Sequence, residues 1–102
     1  MNPLLLLSLV FFLHGTDPLV TKDCTCKGHK LYGKIKFVND FPDLKIKVVE
    51  NFPDIKVKLV ENFPDQCGKW QVVENFPDFK VKIVNDFPDI KVKFVENFPG
   101  LP

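Results

Sequence analysis

Apolar and charged residues alternate in short runs along most of the chain. In the run Leu44–Val48, apolar residues fill the first, third and fifth positions and lysine fills the other two. A two-residue period places the apolar side chains on one face of a β-strand and the lysines on the other. An amphipathic helix would repeat its apolar positions every three to four residues, which this run does not do. We therefore predict a half-buried strand.

The alternation breaks at the end of each run, where a second apolar residue follows at once. Val49 follows Val48, and the same doublet occurs at Phe37-Val38, Leu59-Val60, Val72-Val73, Ile83-Val84 and Phe94-Val95. Because the doublet recurs in every run, it predicts one of two things. Either the second face of the strand is also covered, or the strand bulges there.

Two polar residues and then Phe-Pro-Asp follow a typical run, as at Phe52-Pro53-Asp54. Proline lacks the N–H that a central strand needs, and it disfavours helical geometry in the residue before it. The tripeptide fits a β-turn with proline second and aspartate third. We therefore expect Phe52 to be extended and to act as an aromatic anchor. We expect the Asp54 carboxylate to accept hydrogen bonds from nearby backbone amides.

The spacing of the Phe-Pro pairs reveals a duplication. The pairs begin at Phe41, Phe52 and Phe63, eleven residues apart, and again at Phe76, Phe87 and Phe98, also eleven apart. The two halves are separated by Gln66-Cys67, after which Gly68-Lys69 repeats the Gly33-Lys34 of the first half. The sequence thus predicts two halves of three units, 33–65 and 68–100, in a pseudo-two-fold arrangement.

The amino-acid composition limits the classes of function that the chain can have. A chain of 102 residues forms one domain at most, and its net charge of +1 gives no overall field that favours nucleic acid or membrane. All 14 basic residues are lysine. Arginine is the preferred bidentate ligand of phosphate and carboxylate, so its absence from the sequence argues against a specific phosphate-reading or base-reading site. We predict no cofactor and no specific nucleic-acid partner.

Residues 1–15 are predicted to be a cleaved signal peptide. The run Pro3–Leu13 is apolar and has the length of a signal-peptide core, whereas a bilayer span needs about 20 apolar residues. No lysine or arginine precedes the run and no Ala-x-Ala site follows it. The expected location is therefore secreted or periplasmic.

Residues 16–30 are polar and are predicted to form a tether that contains Cys24 and Cys26. The third cysteine, Cys67, lies between the halves. Cys-Thr-Cys is not a zinc-binding spacing, and disulfides are typical of exported proteins. Cysteines separated by one residue rarely bond to each other, so we predict a disulfide between Cys26 and Cys67, with Cys24 as the alternative partner of Cys67.

The repeats resemble one family of small bacterial domains. Six Val-x-x-Phe-Pro-Asp-type repeats, the lead-in Lys30–Lys34 and the central Cys67–Gln71 are similar to the septoil knot family, which is named for a seven-crossing torus knot. The resemblance covers residues 31–102. It implies a single all-β domain with a deeply knotted chain, and it implies no activity. A knot fits two matching halves that are wound round each other and joined end to end.

A short β-solenoid is the alternative fold. Two units make 22 residues, which is a plausible coil for a solenoid. Knots are rare in proteins, so the repeat alone favours the solenoid. The trace of the backbone distinguishes the two.

The lysine pairs are the main candidate binding residues. If strands stack, these lysines line up as a face that suits an anionic cell-surface polymer or lipid: Lys45, Lys47, Lys56, Lys58, Lys80, Lys82, Lys91 and Lys93. The alternative is a solvated face that keeps strand edges from pairing with other chains. Acidic residues in every unit bring the net charge close to zero, which favours the solvated face.

Other chemistries are weaker candidates. Acids at the corners, such as Asp54, suit calcium poorly because Phe-Pro interrupts the run of oxygen ligands. Ser8, the one serine, lies in the predicted signal peptide, and a Cys67–His29 pair is weak evidence for a nucleophile. Trp70 is predicted to fill the core at the junction of the halves. We therefore expect no enzyme and no metal site. The expected role is that of a kinetically stable structural or interaction module.

Overall fold

Eight short strands account for the regular structure of the computed structural model, which describes residues 20–102. They are β1 (Thr25–Cys26), β2 (His29–Lys30), β3 (Gly33–Phe37), β4 (Leu44–Val48), β5 (Ile55–Leu59), β6 (Lys69–Val72), β7 (Phe79–Ile83) and β8 (Ile90–Phe94). No helix occurs within this range. The all-β prediction is confirmed, with one strand for each predicted run.

Six of the strands close into a parallel barrel in the order β3-β6-β5-β8-β4-β7. Strands of the first half, β3 to β5, therefore alternate with strands of the second half, β6 to β8. No strand pairs with another strand of its own half, so each half winds through the other. A solenoid would stack units that follow one another in the chain, and the pairing excludes that alternative.

Two layers of apolar side chains fill the barrel. The first layer comes from Leu44, Ile55, Phe79 and Ile90, and the second from Ile35, Ile46, Val57, Trp70, Val81 and Val92; none of these is more than 2% exposed. Trp70 therefore lies in the core, as predicted, where its ring meets Phe79 edge-on with 5.5 Å between centroids. The layers form because inward residues alternate with lysine along each strand.

The valine doublets mark the ends of the strands. The Val49 amide donates to the carbonyl of Val92 at 2.9 Å, and the register from Ile46 to Val48 continues without interruption into this bond. The other five doublets make the equivalent bond at 2.8–2.9 Å. Val49 is half-buried. The doublet is therefore a regular extension of the ladder with partial cover of its outer residue, and not a bulge.

The connections differ from the predicted turn. Phe52 has φ 55°, in the left-handed region, and its side chain is 92% exposed, whereas Pro53 is half-buried. The prediction of an extended, anchoring phenylalanine was wrong. Four of the five connections between barrel strands leave one strand, pass a strand of the other half and enter a parallel strand, so the chain must reverse within six residues; the connection from β5 to β6 is longer and joins neighbouring strands. The left-handed residue makes that reversal, and it directs the ring away from the barrel.

The aspartates that end the connections clamp the two halves together. The Asp54 amide donates to the carbonyl of Lys91 at 2.8 Å, and the Asp54 carboxylate accepts from the Lys91 amide at 2.7 Å. Asp43, Asp78 and Asp89 bond in the same two ways to Lys80, Lys34 and Lys45. The predicted bonds from backbone amides to these carboxylates are therefore present, and each joins one half of the chain to the other.

The last unit replaces the aspartate clamp with main-chain bonds. Gly100 exchanges two hydrogen bonds with Lys56, at 2.8 and 2.9 Å. Its neighbour Gly68 has φ 85°, and a Cβ there would collide with the Lys56 carbonyl oxygen and the Gly100 nitrogen. Glycine is therefore required at position 68, where the second half begins.

The segment before the barrel is a packed hairpin from Val20 onward and not the tether predicted for residues 16–30. β1 and β2 pair antiparallel around a two-residue turn in which Lys27 and Gly28 have φ 52° and 82°. Two positive φ values are typical of a type I′ turn, whose twist matches that of paired strands. Cys24 and Cys26 are buried against the barrel core. The predicted signal peptide, residues 1–15, lies outside the described residues.

The disulfide joins Cys24 to Cys67, and the preferred pairing of Cys26 with Cys67 was wrong. The two bonded cysteines have their Cα atoms 5.9 Å apart. Leu31 brings them together, because its amide donates to the Cys24 carbonyl at 2.9 Å while its own carbonyl accepts from the Gly68 amide at 3.0 Å. Cys26 lies two residues further on and remains a free, buried thiol.

Candidate interaction surfaces

The outward lysines of the barrel lie opposite one another across neighbouring strands. The register pairs Lys36 with Lys80, Lys45 with Lys82, Lys47 with Lys91, Lys56 with Lys93, and Lys58 with Lys69. We call these ten residues the lysine ladder, and it contains all eight lysines predicted from the sequence. Opposed side chains on a sheet have Cβ atoms about 5 Å apart, so like charges are concentrated here.

The lysine ladder encircles the barrel instead of forming one stripe. Its five pairs lie on five different strand-to-strand contacts of a closed sheet. Within residues 20–102 the one ion pair joins Lys27 to Asp89, with 3.6 Å between Nζ and Oδ1, so no ladder lysine is paired directly with an acid. The ladder is therefore available to anionic ligands from any side, but a flat surface would meet only part of it.

The second surface is a set of six phenylalanines that sequence reasoning assigned wrongly. We call them the collar: Phe41, Phe52, Phe63, Phe76, Phe87 and Phe98. Their side chains are 79–93% exposed, and all six have φ between 53° and 59°. One collar residue lies in each of the five connections between barrel strands, and Phe98 lies in the segment that follows β8. The sequence signal was the position of each phenylalanine, which falls after two polar residues and outside the alternating run.

The third surface is at the carboxyl ends of the strands. The inward residue that ends each strand belongs to a layer with nothing packed above it in the described part of the chain. We call this layer the mouth ring: Phe37, Val48, Leu59, Val72, Ile83 and Phe94. The first five are 36–53% exposed, and Phe94 is partly buried. The valine doublets thus carry exposed apolar surface as well as ladder bonds.

The cysteines do not form a reactive site. Cys67 is consumed by the disulfide, which removes the predicted Cys67–His29 pairing as a candidate nucleophile. Burial, reinforced by the nearby carboxylate of Asp89, raises the pKa of the Cys26 thiol. The thiol therefore stays protonated at neutral pH, where a nucleophilic cysteine needs to be a thiolate.

The corner acids do not assemble into a cation site. Within the barrel and its hairpin, no three His, Cys, Asp or Glu side chains lie together in a way that could hold a metal ion. The clamp aspartates instead give one carboxylate oxygen each to a backbone amide, as Asp43 does to Lys80 at 2.7 Å. From Val20 onward, no helix has the length and apolar character needed to cross a bilayer.

A family model matches residues 28–102, and its description is the 7(1) septoil knot domain. The chain belongs to the septoil knot domain family. The match begins in the hairpin turn and runs through all six barrel strands. The alternation of the halves round the barrel agrees with two lengths of chain that twist about each other, which is how the family knot was expected to form.

One curated relative of this septoil knot domain is an uncharacterized protein of Synechocystis sp., slr1025. It is 75% identical over 48 residues, which are 47% of this chain and 43% of the relative. The match thus spans less than half the length of either protein.

Proposed function

We propose that this septoil knot domain is an exported, non-catalytic interaction module, which uses a kinetically stable barrel to display the collar. The observation that carries the proposal is the collar itself, six phenylalanine rings that are 79–93% exposed. Scattered apolar residues are ordinary on protein surfaces. Six rings at the equivalent position of six repeats are instead a repeated display, which supports a role in interaction.

The backbone of the collar supports a role beyond folding. A left-handed conformation costs a residue other than glycine about 1–2 kcal/mol, so a phenylalanine there opposes stability. Glycine would adopt φ near 55° without that cost. The chain nevertheless has phenylalanine at all six positions. Strain of this kind, kept in exposed positions, supports a function for the rings.

The barrel supplies the durability that an exported module needs. Every barrel strand pairs only with strands of the other half, so unfolding must separate contacts that are distant in sequence. Such topologies rearrange slowly, and slow unfolding protects a chain from proteases. The Cys24–Cys67 disulfide suits an oxidising compartment and supports export, together with the predicted signal peptide.

Replacing Phe52 with glycine tests the display role. We expect Phe52→Gly to raise the free energy of unfolding by up to about 1 kcal/mol, because the strain of the left-handed residue is relieved. Phe52→Ala is the matched control, since it removes the ring but keeps the strain, and it should leave stability within about 0.5 kcal/mol of the parent. Urea denaturation of the two variants measures both values. A loss of more than 1 kcal/mol in both variants would assign the ring to packing and overturn the proposal.

Binding of an anionic cell-surface polymer or lipid is a second candidate function. It is favoured by the opposed lysines of the lysine ladder, such as Lys45 and Lys82, which are free of direct ion pairs with the described acids. Attraction to a polyanion by exposed lysines weakens steeply as salt rises. The ladder therefore predicts binding that depends on charge and salt, whereas the collar predicts binding that depends on neither.

Retention on immobilised anionic polysaccharide, DNA and anionic lipid distinguishes the two functions. If the lysine ladder is the site, one matrix should retain the protein saturably at low salt, and the double change Lys80→Ser and Lys82→Ser should abolish retention. The control Phe52→Ser should leave retention unchanged. Absence of retention on all three matrices would remove the ladder as a site and leave the collar as the interacting surface.

A further inference from the structure

The mouth ring is the open end of a barrel whose other end is closed. All six barrel strands run parallel, so their carboxyl ends lie together. The register is offset at each step: Val48 of β4 lies opposite Val92 of β8, and Phe94 of β8 lies opposite Val57 of β5. The residues that end the six strands therefore lie in one layer. Strands tilt round the axis of a barrel, and the offset places equivalent positions of neighbouring strands at the same height along that axis.

The amino end of the barrel is plugged by the hairpin. Leu31, fully buried, leads into β3, and its carbonyl accepts bonds from the Gly68 amide and from Trp70 Nε1, each at 3.0 Å. Lys27 in the hairpin turn pairs with Asp89, which directly precedes β8. Both contacts place the hairpin at the amino ends of the strands. The first and second layers are therefore covered from below, and the mouth ring is the apolar layer that remains open within residues 20–102.

Acidic residues surround the mouth ring. Each repeat places one acid just after its valine doublet, and all six are exposed: Asp40, Glu50, Glu61, Glu74, Asp86 and Glu96. Glu96 lines the same cleft as Leu59 and Phe94, together with the ladder residue Lys58, so an acid and a lysine both border the apolar layer there. The equivalent cleft on the far side is lined by Phe37, Asn39 and Ile83. We call the six acids the rim.

The rim acids have no direct ionic partners. Ladder lysines project outward from the strands, whereas the rim acids follow the last strand residue. Lys58 lines the cleft beside Leu59 and Glu96, yet none of the rim acids forms an ion pair with another residue of the described chain. The open end therefore combines an apolar centre with six exposed acids, although the whole chain carries a net charge of only +1.

We infer that the mouth ring binds a cationic amphipathic peptide segment of a partner protein. One or two apolar side chains of the segment contact the ring, and flanking lysines or arginines lie against the rim. Charge complementarity of this kind gives specificity and speeds association. The same charges oppose the other candidate occupants: a second copy of the chain would bring two acidic rims together, and an anionic lipid surface would be repelled. The inference concerns a different surface from the collar and does not depend on it.

The test measures binding of a fluorescein-labelled synthetic helix of leucine and lysine, with leucines along one face, by fluorescence anisotropy. The parent protein should bind it saturably. Leu59→Asn places a polar group in the mouth ring and should weaken binding at least about tenfold, which corresponds to about 1.4 kcal/mol. The double change Glu50→Gln and Glu96→Gln should weaken binding several-fold at low salt and reduce its dependence on salt.

Matched controls separate the mouth from generic attraction. Asp65→Asn removes an exposed acid at the amino end of β6, and Phe52→Ser removes a larger apolar side chain from the collar. Both should leave the affinity unchanged. A peptide of the same composition with its leucines scattered should bind at least about tenfold more weakly, because it presents no apolar face. Thermal unfolding of each variant confirms that the barrel is intact.

Several outcomes would overturn the inference. No saturable binding by the parent protein would do so, as would equal weakening by Asp65→Asn and by the double rim change. Loss of binding in Phe52→Ser would move the site to the collar. Self-association of the parent protein in sedimentation, abolished by Leu59→Asn, would assign the mouth ring to a second copy. Binding to anionic vesicles that depends on Leu59 would assign it to lipid.

Discussion

Replacing Trp70 with alanine is expected to lower the free energy of unfolding by about 4 kcal/mol, the middle of the range for large aromatic core residues. The indole is fully buried, stacks edge-on against Phe79 and donates from Nε1 to the Leu31 carbonyl at 3.0 Å. Alanine would leave a large cavity where the second layer meets the hairpin plug. Urea denaturation should show a lower midpoint with an unchanged slope.

The pseudo-symmetry of the halves provides a matched control for Trp70. Ile35 occupies the equivalent place in the first half, in the second layer and fully buried. Ile35→Ala should cost less, about 3 kcal/mol, because the cavity is smaller and no side-chain hydrogen bond is lost. Trp70→Phe should cost about 1–2 kcal/mol, because the Leu31 carbonyl keeps only the Gly68 amide as a donor. A Trp70→Ala cost no larger than that of Ile35→Ala would show that Trp70 does not join the plug to the barrel.

Periodicity predicted the strands well because it is a local property. The run Leu44–Val48 alternates within five residues, and its inward positions are the buried ones, so a single unit carries the information. The pairing of the strands is different. The units are nearly identical. Ile46 would therefore contact the same kinds of side chain whether it paired with a strand of its own half or of the other half. Composition of the repeat therefore cannot distinguish a solenoid from interlaced halves. The family resemblance made that distinction, and the alternating barrel confirms it.

The collar shows that the hydrophobicity of a residue does not always predict its burial. Phe52 was expected to be extended and to anchor its turn, because proline disfavours helical geometry in the residue before it. The structure half-buries Pro53 instead and gives Phe52 a left-handed backbone that glycine or asparagine usually adopts. Nothing in the local sequence signals that choice, because Asn51, the residue suited to it, lies one position earlier. The error thus arose from a backbone conformation that the residue type disfavours.

The candidate interaction surfaces were partly visible in the sequence. Alternation placed Lys45 and Lys47 on the outer face, and the structure puts them there. The sequence does not show that the ladder encircles the barrel, because this depends on closure of the sheet. The rim acids, such as Glu50 and Glu96, were counted as charges that balance the lysines. Parallel strands move them to one end, and a sequence that does not fix strand direction cannot predict that separation.

Removing the Cys24–Cys67 disulfide is expected to lower the free energy of unfolding by about 4 kcal/mol in the chain-entropy model, because the bond closes a loop between cysteines 43 residues apart. The bond also fastens the hairpin to the start of the second half. A two-stranded hairpin has little stability of its own, so its hold on the barrel depends on this bond and on the Leu31 contacts. The double change Cys24→Ala and Cys67→Ala, compared with the parent in urea under non-reducing conditions, measures the effect.

Cys26 provides the control for the disulfide prediction. Cys26→Ala removes a buried thiol but no covalent bond, so it should cost only about 1 kcal/mol. Because burial raises the pKa of the Cys26 thiol, iodoacetamide at neutral pH should modify it only after the protein is unfolded, and mass spectrometry of peptides should then find the label on Cys26 alone. Rapid labelling of the native protein would contradict its burial. A peptide that links Cys26 to Cys67 would restore the pairing that the sequence favoured and shift the hairpin by two residues from its position in the plug.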